Sequence, residues 1–73
     1  MTQQLPILKR GSTGEHVEHL QHDLSLLGYE LKVDGIFGEA TENAVKKFQK
    51  DNNLTVDGIV GPQTGKVIGD ALT

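Results

Sequence analysis

Residues Val33-Asp34-Gly35-Ile36-Phe37-Gly38-Glu39-Ala40-Thr41 return further along as Val56-Asp57-Gly58-Ile59-Val60-Gly61-Pro62-Gln63-Thr64. Val, Asp, Gly, Ile, Gly and Thr fall in the same places, and each copy runs into a helix-like segment. The chain therefore reads as two turn-plus-helix units preceded by one further helix. In 73 residues such a duplication leaves room for a single compact all-α domain, a three-helix bundle carrying two DGxxG repeats. Residues 1–6 read as a flexible leader and residues 7–73 as the domain.

The first helix is predicted from about Glu15 to Leu27, opened by Ser12 or Thr13 as cap and closed by Gly28, which can turn left-handed past a helix end. Val17, Leu20, Leu24 and Leu27 form its apolar stripe. The second, from about Glu39 to Asn52, gathers Ala40, Thr41, Ala44, Val45 and Phe48 on one arc. Its other side carries Lys47, Lys50 and a Glu42/Lys46 pair at i,i+4 spacing. The third, from about Pro62 to Leu72, starts with proline where a missing N–H costs nothing and turns Thr64, Val67, Ile68, Ala71 and Leu72 inward. Gly65 and Gly69 weaken that helix, which makes sense if another backbone comes close.

The repeated turns explain themselves locally. Asp followed by Gly, an apolar residue and a second Gly suits an Asx turn with left-handed glycines, so Asp34, Gly35, Gly38, Asp57, Gly58 and Gly61 are assigned structural work. Thr41 and Thr64 are placed to hydrogen-bond back to their turns. A calcium loop would need more oxygen ligands and a closing Glu, and a phosphate loop a GxxxxGK[ST] string; neither copy supplies them.

Composition narrows the functions further. Tyr29, Phe37 and Phe48 are the only aromatic residues, so the core must be built mainly from Leu, Val, Ile and Ala. The absence of cysteine excludes disulfides, thiolate metal sites and a cysteine nucleophile. A net charge of −3, with Lys46, Lys47 and Lys50 as the densest basic run, disfavours nucleic acid or an anionic membrane as partner. The first residues lack the charged and apolar regions of an export signal, and no run approaches the ~20 apolar residues of a membrane span.

Taken in order, Leu8-Lys9-Arg10-Gly11-Ser12-Thr13-Gly14, Leu20-Gln21, Leu27-Gly28-Tyr29, Asp34-Gly35-Ile36-Phe37-Gly38, Phe48-Gln49, Asn52-Asn53-Leu54 and Asp57-Gly58-Ile59-Val60-Gly61-Pro62 with Thr64 closely resemble the peptidoglycan-binding-like domain found beside cell-wall hydrolases and in phage endolysins. The resemblance covers about residues 7–72. It implies a three-helix module without chemistry of its own, which attaches to bacterial cell-wall peptidoglycan, through glycan strand or stem peptide, and targets a partner hydrolase or larger assembly there. It implies no cofactor. Members commonly carry a large aromatic residue where this chain has Gly65.

His16, His19 and His22 recur every third residue but drift around the helix surface, which favours a solvated face over a metal site. A glycosidase would need two carboxylates across a water-excluding cleft, and Ser12 and Ser25 read as a cap and an exposed helical residue, so no catalytic residue is assigned. Because sugars favour an aromatic face with nearby amides and peptides favour polar partners, Tyr29, Gln49, Asn52, Asn53 and Asp57 are the ligand-binding candidates. The alternative function is a protein-interaction adaptor that keeps the fold and binds no murein.

Overall fold

The computed structural model describes residues 6–73; most of the expected leader, residues 1–5, lies outside them. Three helices form, α1 Glu15–Leu26, α2 Glu39–Asp51 and α3 Pro62–Leu72, with no strand among the described residues. The all-α three-helix bundle expected from the repeat is the architecture observed. α1 packs against both α2 and α3, so its stripe of Val17, Leu20 and Leu24 is buried at the centre, meeting Phe37, Val45, Phe48, Val60 and Ile68 in one core.

The helix stops follow one recipe used twice. After α1, Gly28 takes φ 98°; its N–H reaches Ser25 O at 3.1 Å while Tyr29 N–H reaches Leu24 O at 2.9 Å. After α2, Asn53 takes φ 58°, its N–H bonding Lys50 O at 3.2 Å and Leu54 N–H bonding Gln49 O at 2.8 Å. Both are Schellman closures, in which a left-handed residue just past the helix satisfies carbonyls that would otherwise lack partners.

The helices start where expected, but the cap of α1 differs. Gly14, Gly38 and Gly61 are the N-caps, none with a side-chain capping bond. Ser12 and Thr13 are not caps, because the segment before α1 is committed elsewhere. Ser12 Oγ accepts Lys9 N–H, and the backbone of 11–14 pairs with the first turn through Gly11 N–H to Phe37 O, Phe37 N–H to Ser12 O and Gly14 N–H to Gly35 O, each 2.9 Å. Further upstream, Leu8 and Val60 exchange both backbone bonds at 3.0 and 2.8 Å. The LKRGSTG segment is thus a strap pairing with both repeated turns.

Other departures have local causes. Ala40 is exposed, while its neighbour Thr41 is the residue of that turn that faces inward. Ala71 and Leu72 are exposed too, at the open end of α3, and Leu27 is only half-buried. A Cβ added at Gly65 or Gly69 would meet nothing within 4 Å, so no backbone approaches there and the close-packing explanation fails. Glu42 does not pair with Lys46; it reaches Arg10 in the strap at 2.7 Å, while both side chains lie over Gly58, 3.0 and 3.1 Å from where its Cβ would be. Gly38 and Gly61, at φ −104° and −100°, are extended rather than left-handed; only Gly35 and Gly58, at φ 75° and 73°, are left-handed in the repeats.

Candidate functional site

Each repeated turn is organised from inside by a glutamine. Gln21 of α1 is wholly buried. Its Nε2 lies 3.0 Å from Asp34 Oδ1, Ile36 O and Thr41 Oγ1, and its Oε1 accepts Asp34 N–H at 2.9 Å and Gly35 N–H at 2.8 Å. Gln49 of α2, 1% exposed, repeats the pattern. Its Nε2 donates to Asp57 Oδ1, Ile59 O and Thr64 Oγ1 at 2.9, 3.0 and 3.2 Å, and its Oε1 accepts Asp57 and Gly58 N–H at 3.1 and 2.9 Å. Two N–H bonds serving three acceptors means that one is shared, and a primary amide offers both the donors and the acceptor the turn demands. The threonines therefore reach their turns chiefly through glutamine; the direct bond from Thr41 to Ile36 O is long, at 3.5 Å.

This geometry withdraws Gln49 from the ligand-facing candidates, because its amide is spent inside the domain. Sequence reasoning also missed Gln21 as a buried group. The available signal was its place on the apolar face of α1, flanked by Leu20 and Leu24 with an Asp-Gly turn downstream.

Asp34 and Asp57 close the turns by accepting Ile36 N–H at 3.0 Å and Ile59 N–H at 2.9 Å. Both carboxyls are held below the ordinary 3.8, Asp34 chiefly by the Gln21 hydrogen bond and then by Ile36 N–H, Asp57 chiefly by Ile59 N–H and then by Gln49. A depressed folded-state pKa stabilises only while the carboxylate is ionised. The contribution is complete above about pH 5 and is lost as pH falls below about 4 through the folded values. The melting temperature should accordingly drop on acidification through that window, and drop less in an Asp34→Asn/Asp57→Asn double variant.

The remaining candidates gather around the C-terminal end of α2. Tyr29 is half-buried, its ring edge-on to Phe48 at 5.8 Å and its hydroxyl donating to Asp51 Oδ2 at 2.8 Å. Partial burial, then the bond to Asp51 and that residue's charge, push its phenol up to about 12. Since this is the sole tyrosine, an ultraviolet titration should show a single phenolate transition near 12; a midpoint near the ordinary ~10 would mean that neither the partial burial nor the Asp51 contact is held. Asn52 and Asn53 are exposed, Asn52 Nδ2 capping Phe48 O at 2.8 Å and Asn53 forming the helix stop. Asn53→Gly keeps that left-handed backbone without the amide, so stability should hold or rise by up to about 1 kcal/mol. Any loss of ligand retention in that variant then reports the side chain alone; thermal melts alongside binding check both.

Among the described residues, depressions mark the surface at two places that bear on the site. A shallow one of about 410 Å³ is lined by Ser25, Gly28, Tyr29, Glu30 and Leu31. A larger groove of about 730 Å³ runs between α1 and α3, reached by the strap at Ile7 and Leu8 and by the second turn at Val60. His16 and His19 stand on its α1 side; His22 is exposed. Among the described residues, no three His, Cys, Asp or Glu side chains converge as a metal site.

A three-helix unit with two internally braced turns, an open groove and a polar helix end has the form of a small binding module. The sequence pattern of the family described as "Putative peptidoglycan binding domain" matches residues 13–68, and the chain belongs to that family. The solved N-terminal domain of SleB aligns with a TM-score of 0.90 and 39% identity, over 93% of this chain and 94% of that one. The Burkholderia AP3 phage endolysin aligns at 0.85 and 40% identity, over 86% of this chain and 24% of its own. The spore cortex-lytic enzyme of Halalkalibacterium halodurans is 41% identical over 58 residues, which are 78% of this chain. The chain spans 18% of that enzyme's length.

Proposed function

We propose that this chain is a non-catalytic module that attaches to bacterial cell-wall peptidoglycan and brings a lytic enzyme or larger assembly to it. The observation that carries the reading is the pairing of coverages: the fold matches a separate N-terminal domain along 94% of its length but only 18% of a cortex-lytic enzyme. That is the relation expected of an accessory domain joined to chemistry housed elsewhere. Residues 7–73 act as the binding unit. Tyr29, Asn52, Asn53 and Asp57 form the polar edge offered to the wall.

A shallow surface of this kind binds one wall fragment weakly, with Kd on the order of 0.1–1 mM. Retention then comes from rebinding along a repeating lattice. Fusing the domain to a wall amidase stripped of its own anchoring module tests the role. The fusion should hydrolyse insoluble sacculi faster while its rate on a soluble muropeptide stays unchanged. Equal acceleration on both substrates, or clearing of sacculi by the isolated domain, would count against a purely targeting function.

A further inference from the structure

We propose that the groove between α1 and α3 seats the peptidoglycan stem peptide; this rests on the wall-binding reading above. The groove's 730 Å³ falls within the ~300–1,000 Å³ of ordinary small-ligand sites. Its floor is apolar, made by Leu20, Val60 and Ile68, which also belong to the core, so its shape is fixed by the fold.

The walls carry opposite charges. Asp23 on α1 is half-buried, and no cation pairs with its carboxylate among the described residues. Lys66 on α3 stands on the other side, its ammonium tied only to Asp70 at 3.5 Å in a largely exposed pair, which holds it weakly. A stem peptide presents the matching set: alanine methyls for the floor, free carboxylates for Lys66, and the ammonium of its diamino acid for Asp23. A glycan strand fits poorly, since sugar rings favour an aromatic face and no Tyr, Phe or Trp lines the groove. None of the residues at the polar edge of α2 lines it either.

Gly65 is what leaves the groove open. It lines the α3 wall, lacks a side chain, and has empty space within 4 Å of where a Cβ would project. A Cβ there would meet no protein atom within 4 Å, so a larger side chain starts from open space at the groove wall, and it would strengthen the helix. Blocking the site is thereby separable from unfolding.

The test is an amide NMR titration of the ¹⁵N-labelled domain with the free tetrapeptide L-alanyl-γ-D-glutamyl-diaminopimelyl-D-alanine, and in parallel with glycan strands freed of peptide by an amidase. Sacculus retention is measured on the same samples. The tetrapeptide should shift groove amides saturably and the bare glycan should not. Gly65→Leu should melt at or above the parent and lose the tetrapeptide response, Lys66→Glu should raise Kd about tenfold, and Gly69→Ala should change neither. The groove assignment is overturned, with wall binding intact, if sacculi are retained while the tetrapeptide leaves the groove unmoved. It is equally overturned if bare glycan produces the shifts, if Gly65→Leu binds like the parent, or if the groove proves to be covered by a second copy of the chain in solution. Absence of sacculus retention would remove the wall-binding reading and this assignment together.

Discussion

Gln49→Ala is expected to cost about 3–5 kcal/mol, most of what holds the domain together. The substitution removes the acceptor for the N–H groups of Asp57 and Gly58 and the donor for Ile59 O and Thr64 Oγ1. A buried polar group left without a partner costs about 1–3 kcal/mol, and the cavity left by a wholly enclosed side chain adds to that. At roughly 0.05–0.15 kcal/mol per residue, a domain of 73 residues has about 4–11 kcal/mol in total. Urea melts followed by circular dichroism should show the loss directly, with exposed Gln63→Ala within about 0.5 kcal/mol of the parent. A Gln49→Ala melt superimposable on the parent would show that the second turn holds itself and that the amide is incidental.

Phe48→Ala is expected to be about as severe, at about 3–5 kcal/mol. Phe48 is 2% exposed, lies in the core cluster with Leu24, Val45 and Ile68, and packs edge-on against Tyr29. Tyr29 is held by its hydrogen bond to Asp51 and Phe37 is itself buried in the core, so the hole is not filled by an aromatic neighbour. A cooperative transition close to that of the parent would contradict the packing of α2 described above. The two variants probe different physics, polar satisfaction and volume, at adjacent positions of one helix.

That adjacency shows what was legible in the sequence. Phe48 announced itself through helical periodicity. Gln49 did not, since hydropathy places an amide on the surface unless something demands it inside, and the demand arises from backbone groups of a turn folded back beneath the helix. Gln21 was missed for the same reason. The fold could be read because a duplicated Asp-Gly turn before each helix restricts the arrangements available, and helix limits fell within a residue of expectation. The cap of α1 was misassigned because Ser12 and Thr13 belong to a strap whose pairing with the turns spans residues distant in sequence. The groove was invisible for a related reason: three separated stretches of chain build it, and its opening depends on Gly65, which in one dimension looks like a mere weakness in a helix.

The wall-binding claim is tested most directly by co-sedimentation of the domain with purified peptidoglycan sacculi, with and without attached wall polymers, against an unrelated acidic protein of similar size. Saturable retention that survives removal of the wall polymers is the expected result. Retention no greater than the control would contradict peptidoglycan binding and favour a protein-interaction adaptor built on the same three helices.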